Sequence, residues 1–165
     1  MSLAIPTKLD QKLIEIIDRL VSEGLYVSRS EAIRDAVRKL VANQYVSLDR
    51  FLQTIAQITT ETLTSQLGNV ITDIILFGSA ARSEVTPDSD IDLLILTNQQ
   101  NLSEIRKRIH EIIYPISLAA STPITTIVIT QQEFTTWTKN KLSFTEEIIK
   151  EGIQLYGEIL THVRS

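Results

Sequence analysis

Hydrophobic positions along the chain recur with two periods, which divide it into predicted helices and predicted strands. Apolar residues three or four apart indicate amphipathic helices, whereas short runs of β-branched residues indicate buried strands. The first pattern predicts helices between residues 10 and 24 and over 28–41, 47–67, 102–117, 133–137 and 144–150. The second predicts strands over 70–77, 91–96 and 124–130, with a short apolar piece at 153–156.

The first 46 residues form a segment that is too small to bury a core of its own. A short extended stretch, residues 3–9, precedes two helices, of which the first is capped by Asp10. The second opens on a capping box, in which Ser28 is the N-cap and Glu31 reaches back to it. Because so small a segment leaves apolar faces uncovered, we expect a homodimer through residues 1–46, with a higher oligomer also open.

The run Tyr26-Val27-Ser28-Arg29-Ser30-Glu31-Ala32-Ile33-Arg34 resembles the ribbon-helix-helix family, and the resemblance covers residues 2 to about 45. It implies a swapped dimer whose paired strands enter the major groove of an operator DNA. The candidate DNA contacts are Lys8, Ser28, Arg29 and Ser30. However, the groove-facing positions Ala4 and Pro6 offer no side-chain donor or acceptor, so a dimerisation module with weak or lost DNA binding stays an alternative.

Composition and charge narrow the possible classes of protein. The chain has 165 residues and a net charge of −4. It contains no cysteine, which excludes a disulfide scaffold, a thiol nucleophile and a CxxC zinc module. Residues 1–46 hold seven basic and six acidic residues, so their net charge is +1 and the remainder carries −5. No stretch is long and apolar enough to span a membrane and no signal-peptide pattern opens the sequence, so we expect a cytoplasmic protein without a membrane partner.

The densest group of chemically useful residues lies between the predicted strands 70–77 and 91–96. Gly78 and Ser79 follow the first strand, and Asp90 and Asp92 open the second after ten intervening residues. Alternation along a strand points both carboxylates to one face, where they suit Mg²⁺ bound together with substrate phosphates. A glycine lets the backbone approach a phosphate closely, and Arg82, one turn further on, offers a positive charge to it. The pattern therefore predicts phosphoryl-transfer chemistry.

This pattern, Gly78-Ser79, ten residues and Asp90-x-Asp92, resembles the nucleotidyltransferases of the DNA polymerase β type. More narrowly, it is similar to the minimal nucleotidyltransferases that accompany HEPN-domain toxins in toxin–antitoxin operons, over residues 48 to about 160. The resemblance implies an α+β fold with a mixed sheet for residues 47–165. It also implies transfer of a nucleoside monophosphate from an NTP, with ATP the first expectation, to a hydroxyl of RNA or of a partner such as a HEPN-type toxin. Mg²⁺ or Mn²⁺ would be held by Asp90 and Asp92, and the nucleotide by Gly78, Ser79, Arg82 and Ser89.

One departure from the family leaves the activity open. Active members add a third carboxylate from the next strand, and in this sequence that position falls at Thr125, or at Thr126 if the register shifts by one. A threonine is neither a metal-binding carboxylate nor a general base near neutral pH. The alternative is therefore a catalytically degenerate domain in a dimeric DNA-binding regulator or in a scaffold that binds a partner protein.

Overall fold

A computed structural model describes residues 9–164, and the predicted ribbon with Ala4, Pro6 and Lys8 lies outside them. The chain divides into two compact units, Met1–Gln44 and Tyr45–Ser165. Its elements are, in chain order, α1 (Gln11–Ser22), α2 (Arg29–Leu67), β1 (Ile71–Phe77), α3 (Gly78–Ala81), β2 (Ile91–Thr97), α4 (Leu102–Ala120), β3 (Ile124–Thr130), α5 (Gln131–Lys139), α6 (Ser143–Glu151), β4 (Ile153–Tyr156) and α7 (Ile159–Arg164).

The described part of the first unit consists of α1 and the beginning of α2, joined by a tight turn. The Asp10 carboxylate accepts a hydrogen bond from the Leu13 backbone N–H at 2.9 Å and so caps α1 as predicted. Gly24, with φ +75°, ends that helix region. Apolar side chains of both helices line an open groove of about 440 Å³. Leu40 on this groove is 69% exposed and Val37 is 53% exposed, so the described part of the unit leaves its apolar face uncovered.

The second unit is built on a four-stranded mixed sheet in the order β3-β2-β1-β4. Strand β1 is antiparallel to β2 and to β4, whereas β2 and β3 are parallel. Strands β1 and β2 are nearly continuous runs of isoleucine and leucine, as expected for strands that are covered on both faces. The prediction of an α+β fold with a mixed sheet is confirmed.

Two apolar cores cover the two faces of the sheet. On one face, Leu63 of α2 and Ile109 of α4 pack with Ile74 and Leu93. On the other, Phe134 of α5 and Ile148 of α6 pack with neighbouring strand residues such as Ile75 and Leu94. Consecutive strand residues point to opposite faces, so each central strand contributes to both cores. The carboxylate of Asp73 is also buried, where it accepts from the backbone N–H groups of residues 158 and 159 at the start of α7.

Two local predictions were wrong in detail. The sequence pattern predicted separate helices over 28–41 and 47–67, but α2 runs without a break from Arg29 to Leu67, since no glycine or proline interrupts it. At its start Ser28 accepts from the Glu31 N–H at 3.3 Å as predicted, but the Glu31 carboxylate accepts from the N–H of Val27 rather than from that of Ser28.

No helix within residues 9–164 is both long enough and apolar enough to cross a bilayer.

Candidate nucleotide-binding site

The predicted site residues meet at one edge of the sheet. Phe77, the last residue of β1, pairs with Asp92 near the start of β2, and Asp92 pairs in turn with Thr125 near the start of β3. Gly78 follows directly and has φ +72°, a conformation that favours glycine. A side chain built on Gly78 would collide with the Asp92 carboxylate, so the absence of one is what lets the turn approach this acid.

The two aspartates form a pair of like charges at this edge. Asp92 is half-buried, and both burial and the neighbouring Asp90 carboxylate raise its pKa, while Arg82 opposes that rise. The Thr125 hydroxyl donates to Asp90 at 3.5 Å. The negative charges of the two carboxylates repel each other, and a bound cation would relieve that repulsion.

Ser79 and Ser89 link the two ends of the loop between β1 and β2. The Ser79 hydroxyl donates to the Ser89 hydroxyl oxygen at 3.3 Å, and Ser89 also accepts from the Thr86 N–H at 2.8 Å. The backbone N–H of Glu84 donates to the Ser79 carbonyl at 3.0 Å. The predicted phosphate-binding hydroxyls therefore lie together, next to the residues that precede Asp90.

Arg82 lies at the end of α3 and is surrounded by acids. Its Nε donates to Glu84 at 2.8 Å, and its Nη1 contacts Glu147 at 3.2 Å and Glu151 at 3.6 Å. The hydrogen bond to Glu84, followed by the charges of the other two glutamates, raises the pKa of the guanidinium. The structure thus brings Arg82 within electrostatic reach of Asp92, but with carboxylates on two of its three nitrogens.

The donor set suits one magnesium ion better than two. Mg²⁺ is commonly bound by one or two carboxylates together with substrate phosphates, and Asp90 with Asp92 supply such a pair. Within residues 9–164 no cluster of three histidine or acidic residues is placed to hold a metal ion. The strand register puts Thr125, rather than Thr126, beside the pair. Glu133, another acid near the sheet in sequence, is used elsewhere, because its carboxylate caps α5 by accepting from the Thr130 N–H at 2.7 Å.

The candidate DNA-binding residues of the first unit lie at the start of α2. The Arg29 guanidinium makes a two-point ion pair with Asp18 of α1, and the Ser28 hydroxyl is used as a helix cap. Ser30 is exposed. Arg29 and Ser28 therefore already have partners within the unit, and a DNA phosphate would have to share or displace them.

Several contacts at the site were not foreseen from the sequence. Glu147 and Glu151 reach Arg82 from α6, 65 residues or more away along the chain. Asp49 of α2 accepts from the Ser83 hydroxyl at 3.3 Å, and Ser83 has φ +55°, a conformation that favours glycine. Helical spacing of the glutamates was visible, but nothing local to the sequence indicates which strand-end they would meet.

Comparison with known proteins finds a family match for each of the two parts of the chain. Residues 57–156 match the family described as nucleotidyltransferase domain, and residues 8–44 match the ribbon-helix-helix proteins of the copG family. No curated protein matches the chain.

Among solved structures, a protein of Sulfolobus solfataricus proposed to be a nucleotidyltransferase is 18% identical, with a TM-score of 0.47, over 67% of this chain and 84% of its own. A structure described as a toxin-antitoxin with AMP-PNP is 16% identical, with a TM-score of 0.46, over 65% of this chain and 79% of its own. The two family matches, which cover separate parts of the chain, carry the assignment. The chain belongs to the nucleotidyltransferase domain family, and a segment that matches the ribbon-helix-helix family precedes that domain.

Proposed function

We propose that residues 47–165 bind an NTP with Mg²⁺ or Mn²⁺ and transfer its nucleoside monophosphate to a hydroxyl group. The observation that carries this proposal is the direct approach of the Gly78 turn to the Asp92 carboxylate, with Ser79 and Asp90 on the same edge of the sheet. Phosphoryl transfer depends on holding the phosphates in place and offsetting their charge. The glycine turn would hold the phosphates, and the paired carboxylates would hold the cation that offsets their charge.

The groups at this edge of the sheet have defined parts in this reaction. The acceptor oxygen bonds to the α-phosphorus of the NTP and pyrophosphate leaves, so the acceptor hydroxyl must lose its proton. Asp90 and Asp92 are both partly exposed, so either carboxylate would be open to take that proton. A bound cation would offset the negative charge that develops on the phosphate oxygens. Ser79, Ser89 and Arg82 would orient the phosphates.

Transfer of a labelled nucleotide tests the proposal. Wild-type protein, α-labelled ATP and Mg²⁺ or Mn²⁺ are incubated with candidate acceptors, namely RNA and proteins encoded by neighbouring genes, above all one of the HEPN type. Asp90→Asn combined with Asp92→Asn should abolish labelling. Asp88→Asn, an exposed acid just before the pair, serves as the matched control and should leave labelling intact. A wild-type protein that labels no acceptor with any of the four common NTPs contradicts transfer.

A second function is favoured by the side chain of Thr125. Because it occupies the position beside Asp90 and Asp92 where a third carboxylate is expected, the site is suited to nucleotide binding without efficient transfer. The protein would then be a nucleotide-responsive regulator, or a scaffold for a partner protein, with the first unit as its dimeric DNA-binding part. The uncovered groove along Leu13, Val37 and Leu40 supports pairing of two copies through that unit.

Two measurements separate these functions. Titration calorimetry with ATP, in Mg²⁺ and then in excess chelator, shows a cation-dependent signal for either the enzyme or the regulator and none for a plain scaffold. A gel shift with DNA from upstream of its own gene, at about 50 mM salt where phosphate contacts are strong, identifies the regulator. If no shift occurs at that salt concentration, the DNA-binding function is rejected.

A further inference from the structure

Arg82 is held by carboxylates along two edges of its guanidinium, and two of these carboxylates belong to α6. Nε donates to Glu84 at 2.8 Å, while Nη1 contacts Glu147 at 3.2 Å and Glu151 at 3.6 Å. The third nitrogen, Nη2, makes no hydrogen bond within residues 9–164. The side chain as a whole is 31% exposed.

The acidic face of α6 is fixed against the glycine turn. Phe144, Glu147 and Glu151 are spaced three and four residues apart and therefore lie on one face of the helix. The Phe144 ring meets the Phe77 ring edge-to-face, with centroids 5.6 Å apart, and Phe77 immediately precedes Gly78. The helix that supplies the two glutamates is thus anchored one residue away from the turn that leads to Arg82.

We infer that Glu147 and Glu151 are positioning residues for nucleotide binding, which hold Arg82 so that its Nη2 is left for a phosphate oxygen. The inference rests on the proposed function. A guanidinium is planar and its five N–H groups point along fixed directions, so engaging Nε and Nη1 determines where the Nη2 donors point. A side chain that is already ordered loses less conformational entropy when a ligand binds.

The same contacts permit an opposite role, and the sign of one measurement distinguishes the two. If the glutamates mainly compete with phosphate for Arg82, removing their charge would strengthen nucleotide binding. If they position Arg82, removing them lets a long side chain adopt other rotamers and weakens binding. We favour the positioning role because the glutamates contact Nε and Nη1 of Arg82 but not Nη2. Glutamates that competed with phosphate would be expected to contact all three nitrogens.

The test replaces both glutamates in the full chain and measures binding of ATP with Mg²⁺ by calorimetry. For Glu147→Gln with Glu151→Gln we expect affinity about three- to tenfold weaker, the usual entropic cost of ordering one flexible side chain. Affinity for adenosine, which has no phosphate, should not change. In an Arg82→Gln background the same two substitutions should no longer weaken ATP binding. Glu146→Gln, at an exposed acid on the same helix, makes the same charge change as either single substitution and should leave affinity as in wild type.

A second measurement does not depend on the nucleotide. Slow rotation about the Nε–Cζ bond of a held guanidinium gives two separate ¹⁵Nη signals, which should be resolved for Arg82 in the wild type and averaged in the double variant. Glu147→Gln alone is the milder variant should the double variant melt early. Tighter ATP binding in the variants, or an unchanged pair of Nη signals, overturns the inference. A wild type that binds no ATP refutes the proposed function, while the Nη signals still decide whether the glutamates hold Arg82.

Discussion

Restoring a third carboxylate at Thr125 tests whether the strand register creates a metal site. Thr125 pairs with Asp92, and its hydroxyl lies 3.5 Å from an Asp90 oxygen. In the variant Thr125→Asp a carboxylate would lie about 4 Å from that of Asp90, where two like charges repel by roughly 1 kcal/mol in water and roughly 4 kcal/mol near a protein surface. Because Thr125 is exposed, we expect a loss of stability near the lower end, about 1–2 kcal/mol.

The assay is urea unfolding at pH 7 with and without Mg²⁺, using Thr125→Asn as the control of equal shape without charge. Without Mg²⁺, the Asp variant should unfold at lower urea than the Asn variant. With Mg²⁺ the difference between the two variants should largely close, since a third carboxylate ligand should tighten Mg²⁺ binding by about tenfold, equivalent to about 1.4 kcal/mol. At a Mg²⁺ concentration about 100 times the dissociation constant, binding stabilises the folded state by roughly 2.7 kcal/mol.

Two results would refute this reasoning. If the Asp and Asn variants are equally stable without Mg²⁺, the new carboxylate does not reach Asp90, and the site geometry is wrong. If the Asp variant is weakened but gains nothing from Mg²⁺, the carboxylates do not form a cation site. An increase in nucleotide transfer by the Asp variant, relative to the Asn variant, would further indicate that Thr125 limits catalysis in the natural sequence.

Three further predictions concern the turn, the groove and a helix cap. Gly78→Ala should lower stability by more than about 1–2 kcal/mol, because a collision with Asp92 adds to the backbone strain, and should abolish ATP binding in calorimetry. Gly24→Ala, at a similar φ of +75° but with nothing within 4 Å, should cost about 1–2 kcal/mol and keep binding. Leu40→Glu should weaken dimerisation by about 100-fold or more in light scattering or sedimentation, because burying a leucine from each copy is worth about 3 kcal/mol in total. The Thr130 backbone N–H lowers the pKa of Glu133 from its ordinary 4.5, so the contribution of this cap, about 1 kcal/mol, is present at pH 7 and is lost as pH falls through the lowered pKa. Glu133→Ala should therefore be less stable than wild type at pH 7, and denaturant unfolding should show this difference shrinking as the pH is lowered below 4.5.

The strands were predictable because their signal is local. The run of β-branched residues over 124–130 is bounded by Pro123 and by Thr130, which caps the next helix, and β3 has these bounds. The continuity of α2 through residue 46 was not predictable in the same way. The apolar period changes there, but a change of period ends a helix only if a residue resists helical geometry, and α2 contains no glycine or proline.

The residues of the candidate site likewise divide into those that local sequence predicts and those that only tertiary contacts bring there. Gly78, Ser79, Asp90 and Asp92 could be predicted to share an edge, because two adjacent strands joined by a loop bring their ends together. The partners of Arg82 could not, since Glu147 lies 65 residues further along and reaches it only through the packing of α6 against β1. Sequence spacing thus indicates the groups that would bind a ligand, whereas the groups that orient them depend on tertiary contacts.

The distribution of charge has a consequence for how a nucleotide would enter. Within residues 9–164 the candidate site combines one guanidinium, Arg82, with five carboxylates, those of Glu84, Asp90, Asp92, Glu147 and Glu151. An anionic triphosphate approaching such a surface alone would be repelled. The excess of −5 after residue 46 therefore does not argue against nucleotide binding, but it makes binding conditional on a divalent cation that arrives with the nucleotide or precedes it. Because the glutamates neutralise Arg82 as well as hold it, that one arginine cannot replace the cation, and the site should bind a nucleotide only as its metal complex.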